Sequence, residues 1–141
     1  MSFLQAQHTL EIDTKGRSLV AFTDRVKAFL DGQQVGDGLL TVFIQHTSAS
    51  LLIQENADPT VLADMERFFS KLVKDGDPMF KHTAEGPDDM PSHVRAALTQ
   101  SSLSIPVMQG KMRMGTWQGI YLYEHRTAPH RRKVVLHYVG T

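Results

Sequence analysis

The stretch from Lys81 to His93 reads Lys-His-Thr-Ala-Glu-Gly-Pro-Asp-Asp-Met-Pro-Ser-His, with His82, His93, Glu85, Asp88 and Asp89 as its chemically active members. Imidazole nitrogens and carboxylate oxygens this close in sequence serve either proton transfer or metal binding. Gly86-Pro87 interrupts regular structure, and Asp88-Asp89 with Pro91 marks a helix start, with an aspartate near the N-cap and proline in the first turn. His93 is then expected in the first helical turn. There the positive end of the helix dipole disfavours a second positive charge, so the ring keeps a lone pair for a metal or a proton. His82 and Glu85 lie upstream on the loop, within reach of the same point. The alternative is a solvated acidic capping loop whose histidines make only local hydrogen bonds.

Further groups lie elsewhere. His46 ends an apolar strand face, where a core opens into a pocket or simply closes. Thr47-Ser48-Ala49-Ser50 supplies hydroxyls directly after it. Glu124 shares a strand face with Ile120 and Leu122, and its place near the strand end predicts that it reaches the sheet edge. His8 falls on the apolar side of the first strand, with nothing catalytic near it in sequence, and reads as structural.

The elements that must position these groups fit in one domain, residues 1–141. Charged residues make up 21% of the chain and mean hydropathy is -0.24, ordinary for a globular protein, and no apolar run approaches the roughly 20 residues that span a bilayer. Fifteen Lys+Arg balance fifteen Asp+Glu, so there is no general electrostatic drive toward nucleic acid or anionic lipid. His130-Arg131-Arg132-Lys133 is a local exception and reads as a solvated turn. Without cysteine, any metal must sit on imidazole and oxygen. The opening residues carry no signal-peptide pattern, and the cytoplasm is the expected location.

Alternating residues predict a strand over 3–13. A helix follows from Thr23, as its cap, to about Gly32, then strands over 39–47 and 50–54. Asp58-Pro59 starts a helix to about Lys74 that is expected to bury Val61, Leu62, Met65, Phe68, Phe69 and Leu72. After the histidine loop a short helix turns Val94, Ala97 and Leu98 inward. A strand over Leu103, Ile105 and Val107, a Gln109-Gly110 turn, and two long strands over 115–126 and 131–139 complete the chain. The order β-α-β-β-α-α-β-β-β indicates an α+β fold: mostly antiparallel, sandwich-like sheets packed with three helices.

Five segments, His46-Thr-Ser-Ala-Ser50, Glu55-Asn-Ala-Asp-Pro59, His82-Thr-Ala-Glu-Gly86, Asp89-Met-Pro-Ser-His93 and Gly115-Thr-Trp-Gln-Gly119, resemble in order and spacing the YjbQ family, also known as UPF0047 or secondary thiamine-phosphate synthase. The resemblance spans nearly the whole chain. It implies a compact α+β domain, a homotrimer, and a pocket near the subunit contacts. It also implies an activity that joins a pyrimidine methyl diphosphate to a thiazole phosphate with loss of diphosphate, regarded in this family as secondary to another reaction. At Tyr123-Glu-His-Arg126 the chain departs from many relatives, which carry an aspartate near the position of Arg126.

On this basis His46, His82 and His93 are expected as three nitrogen ligands of a divalent metal such as Zn²⁺ or Mg²⁺, with an open position for water or substrate oxygen. A proton-relay cluster remains the alternative. Glu85 and His82 are the expected catalytic pair, Glu85 as general base or as partner of a ligand histidine, with Glu55 less favoured. Ser48, Ser50, Asn56, Thr116, Trp117 and Gln118 are expected at the substrate, the polar groups on phosphate oxygens and Trp117 either against a heterocycle or in the core. No organic cofactor, nucleic acid or membrane is expected. The competing functions are a non-catalytic trimer that binds a metabolite or anion, and a metal-dependent hydrolase of phosphorylated compounds. Glu55 and Glu85 would repel an anion held without chemistry, which favours the enzyme.

Overall fold

The computed structural model describes residues 2–141. Eleven elements follow in order: β1 (Leu4–Asp13), β2 (Ser18–Ala21), α1 (Thr23–Gln33), β3 (Gly38–Ile44), β4 (Ala49–Glu55), α2 (Pro59–Leu72), α3 (Asp89–Leu98), β5 (Ser102–Met108), β6 (Lys111–Met112), β7 (Gln118–Glu124) and β8 (Arg131–Gly140). The strands form a five-stranded sheet, β1-β8-β3-β5-β6, and a three-stranded sheet, β2-β7-β4, antiparallel throughout. The expected α+β architecture with three helices is present. No helix of the described residues is long and apolar enough to cross a membrane.

Period-two alternation sets which face meets which. In the larger sheet Leu10, Ile12, Leu40, Val42, Ile44, Leu103, Ile105, Val107, Val134, Leu136 and Tyr138 turn inward. They pack on Ala49, Leu51, Ile120 and Leu122 of the smaller sheet, and α1 adds Val26, Phe29 and Leu30. The opposite face of the smaller sheet carries Ser50, Tyr121 and Tyr123. Phe69 of α2 packs edge-on against the Tyr123 ring at 5.9 Å.

Several expectations are corrected. β2 and β6 are short strands without a legible period. The last two long strands, β7 and β8, lie in different sheets, and the 125–130 connection crosses between them. Thr23 does not cap α1. Phe22 occupies that position without a side-chain cap, and the Thr23 hydroxyl oxygen accepts the Ile120 N–H instead. Asp58 does cap α2, accepting from Thr60 N at 2.9 Å, with Pro59 as first helical residue. Yet α2 buries none of its residues fully, and Phe68 and Leu72 are exposed. In α3 the inward face is mostly polar: Asp89, Ser92 and Arg95 are buried beside Pro91, while Ala97 and Leu98 are exposed.

That inversion rests on partners supplied by other elements. Arg95 donates to Glu66 of α2 at 2.7 Å, and the Tyr123 hydroxyl donates to the same carboxylate at 2.6 Å. A buried cation with a carboxylate partner is tolerated where an apolar side chain would leave Glu66 and Tyr123 without one. Glu124 is likewise at the centre rather than the edge. Fully buried, it takes Thr14 Oγ1 at 2.7 Å and Arg132 Nε at 2.8 Å on one oxygen, and Arg132 Nη2 and the Arg126 N–H on the other.

Candidate functional site

The loop before α3 brings His82 and His93 together, their ring centroids 5.6 Å apart. Asp89 is the third member. One ligand atom from each of His82, Asp89 and His93 lies within 4.8 Å of the others. Asp89 Oδ2 is 2.7 Å from His82 Nε2 and 3.4 Å from His93 Nε2. Asp89 opens α3, so His93 is its fifth residue, beyond the first turn, and the i, i+4 spacing stacks the two on one helix face.

Hydrogen bonds fix which atoms are offered. His93 Nδ1 lies 2.9 Å from the Thr47 carbonyl oxygen, which can only accept, so Nδ1 carries a proton and Nε2 is the nitrogen turned toward Asp89. Arg126 braces the carboxylates: Nη1 is 3.0 Å from Asp89 Oδ1, Nε is 2.9 Å from Asp88 Oδ2, and Nη2 donates to the Glu85 carbonyl at 2.9 Å. Burial raises the Asp89 pKa, but the His82 hydrogen bond and the charges of His93 and Arg126 outweigh it and hold the group below the carboxylate range. At Asp88, burial is similarly overcome by Arg126 and the Thr127 N–H, to about 2. Asp88 therefore stands at the helix N-cap position but spends its carboxylate on the segment after β7.

The expected site residues do not all meet at one place. His46 is outside the cluster: its Nε2 accepts the Lys133 N–H at 2.8 Å and its Nδ1 lies 3.4 Å from Arg132. Asp89 takes the place expected for it. Glu85 stands on the rim, its side chain 69% exposed and 3.8 Å from Arg126 Nη1. Ser48 Oγ accepts from Arg132 Nη2 at 3.0 Å. Ser50 is buried against His125. Asn56, Thr116 and Gln118 line a separate cavity of about 650 Å³ beside α1, which shares no lining residue with the cluster. Trp117 is exposed, which corrects the core reading. Beside His82 a smaller pocket of about 320 Å³ is walled by Pro78, Phe80, Pro87 and Met90. The larger cavity is thus not the one next to the imidazoles.

From sequence Asp89 reads as a helix-start carboxylate and not as a ligand, and Arg126 is given no role at the site. The i, i+4 pair Asp89 and His93 was the available signal for Asp89. Arg126 carried none, because its contacts are with residues about forty positions earlier.

His125 has a separate role. Its Nε2 is 2.8 Å from Ser50 Oγ, Ser50 is 2.6 Å from Thr99 Oγ1, and Thr99 is 2.9 Å from the Arg95 carbonyl. Whichever way the protons run along that line, the buried Nδ1 is left without a partner. Burial, reinforced by Arg95 and Arg17, pushes this imidazole down to about 3. With the folded pKa below the unfolded value near 6.5, protonation favours the unfolded chain. Stability is complete above about pH 6.5 and falls as pH drops toward 3, by up to about 1.4 kcal/mol per pH unit from this group. Denaturant midpoints measured between pH 6.5 and 4.5 are expected to fall in the wild type and to fall less in His125→Gln; parallel curves reject the assignment.

Fold and site together describe a small two-sheet α+β domain with a His–Asp–His cluster at the head of its third helix. The model of the family described as UPF0047 protein YjbQ-like matches residues 8–141, and the chain belongs to that family. A UPF0047 protein of Synechocystis is 49% identical over 139 residues, covering 99% of this chain and 95% of that one. The UPF0047 protein YjbQ of Salmonella typhimurium is 46% identical, covering 92% and 94%. A conserved hypothetical protein from Thermus thermophilus, solved by crystallography, superposes with a TM-score of 0.81 at 32% identity, covering 91% of this chain and 97% of that one.

Proposed function

We propose that the protein is a metal-assisted enzyme acting on phosphorylated heterocycles, with His82, Asp89 and His93 as the metal ligands. The observation that carries this is the convergence of two imidazoles and one buried carboxylate on a single point. The donor set fits an ion of the Zn²⁺ class better than Mg²⁺, which favours oxygen donors in octahedral geometry. Such an ion, when bound, stabilises charge on a departing phosphate oxygen.

The chain's own residues supply the rest. Thr47 fixes the His93 tautomer, and Arg126 holds Asp89 by its outer oxygen so that Oδ2 faces the imidazoles. Glu85, solvent-facing yet tied to the same guanidinium, is the group able to exchange a proton with substrate or water. The pocket walled by Phe80, Met90 and prolines suits a flat ring next to His82.

The family resemblance makes thiamine-phosphate formation the first reaction to test. There the bond from the pyrimidine methylene carbon to the diphosphate oxygen breaks, a bond from that carbon to the thiazole nitrogen forms, and diphosphate leaves. A homotrimer is part of the proposal. Phe3, Leu39, Phe43, Met108 and Val139 are exposed on the outer face of the five-stranded sheet, an apolar surface that other copies would cover.

Metal analysis of the native protein, a chelation series, an activity screen on phosphorylated heterocycles and light scattering test the reading together. One equivalent of metal per chain, chelator-sensitive turnover and a mass three times 15.8 kDa are expected. Turnover unaffected by complete metal removal rejects the metal. A metal-loaded protein inert across the screen favours the binding-protein alternative, and a stable monomer rejects the trimer.

A further inference from the structure

The cavity of about 650 Å³ lies between α1 and the segment from Gly110 to Gln118 and plays no part in the function proposed above. Its volume is within the range of small-molecule sites. The half-buried Met112 and Met114 supply its apolar surface, backed by the nearly fully buried Phe22 and Leu30. Methionine thioethers adapt to varied shapes, so this surface suits an apolar or aromatic body.

The walls are held in place before any ligand arrives. Asn56 Nδ2 donates to the Thr116 and Gln118 carbonyls, both at 3.4 Å, and the Asn56 backbone N–H donates to the Trp117 carbonyl at 3.0 Å. Gly115 N donates to Gln118 Oε1 at 2.7 Å. Asn56 can stand there because residue 119 is glycine: a Cβ would come within 3.1 Å of both Asn56 Cβ and the Tyr121 ring. Opposite, Gln109 and Gly110 both adopt positive φ in the tight turn that brings in Lys111.

Unused polar capacity in the cavity favours a negative ligand. Three cations, Arg25, Lys27 and Lys111, line it against two carboxylates, Asp24 and Asp31. Among the described residues neither Lys27 nor Lys111 enters an ion pair. Thr23 accepts from Ile120 N, so its own proton is free to donate, and Gln118 uses its amide oxygen on Gly115 and leaves its NH₂ free. Asp24 lies in the first turn of α1, where the helix dipole offsets its charge.

We propose that this cavity is a second ligand site, taking a small organic anion whose apolar or aromatic body lies on Met112 and Met114 and whose phosphate or carboxylate is held by Lys27 and Lys111. Ammonium groups act as point charges and accept either head group.

Trp117 is the single tryptophan, exposed between the lining residues Thr116 and Gln118, and serves as a fluorescent probe next to the cavity. Phenyl phosphate, benzoate, phenol and inorganic phosphate are titrated by calorimetry and by Trp117 fluorescence. At least one of the two aromatic anions is expected to bind with a shift in Trp117 emission, at least about tenfold more tightly than phenol or inorganic phosphate. Phenyl phosphate ahead of benzoate marks a phosphate site, the reverse order a carboxylate site. The double variant Lys27→Glu, Lys111→Glu is expected to lose at least about tenfold in affinity, while Asp89→Asn binds as the wild type does. Phenol binding as well as either anion, unchanged affinity in the folded double variant, or loss of binding in Asp89→Asn would each overturn the proposal.

Discussion

Asp89→Asn is expected to empty the proposed metal site, lowering metal affinity at least about 100-fold and turnover on the order of 10²- to 10⁴-fold. The change keeps side-chain volume but removes the one charge that both imidazoles face, at 2.7 Å from His82 and 3.4 Å from His93. The fold is expected to survive, because Arg126 keeps Asp88 at 2.9 Å as its ion-pair partner. Glu85→Gln separates ligand from base: it should retain the metal, since its carboxylate lies outside the cluster, yet lose about 10²- to 10⁴-fold in turnover if Glu85 moves the proton. Metal analysis, thiamine-phosphate formation and thermal melts are measured on both variants. Wild-type metal content in Asp89→Asn would reduce the cluster to a helix-start arrangement. Wild-type turnover in Glu85→Gln would transfer the proton to His82.

The largest effect on stability is expected from Glu124→Gln. Glu124 is fully buried and meets Arg132, itself 5% exposed, through both oxygens. The amide leaves a buried guanidinium without a counter-charge and points an NH₂ at other donors. Removing one partner of a buried pair costs about 3–5 kcal/mol. For a domain of this size that lowers the melting temperature by roughly 10 °C or more. Replacing both Glu124 and Arg132 by leucine is expected to cost less than the single change, because no charge is then left unpaired. A single-variant loss below about 1 kcal/mol would return Glu124 to the solvated sheet edge that its place near the strand end suggested.

Much of the architecture was legible because it is local. Alternation in β1, β3, β5 and β8 follows from the two-residue pleat, and Asp58-Pro59 announces α2 by the geometry of its first turn. The histidine loop was equally readable, since Gly86-Pro87 and Asp88-Asp89 fix where a helix can begin. By itself the sequence determined an α+β domain, the absence of thiolate groups, and His82 and His93 as neighbours of one helix start.

Only the tertiary structure decided the remainder, because it depends on which chain segment lies opposite. Periodicity cannot show that Arg95 has Glu66 as partner, so α3 looked as though it should bury Ala97 and Leu98. Nor can it show that Lys133 occupies His46 Nε2, or that Asn56 and Gln118 face α1 rather than the imidazoles. Each outcome is set by desolvation: a polar group enters the interior only where a partner from distant sequence meets it, and that meeting exists only once the sheets have packed.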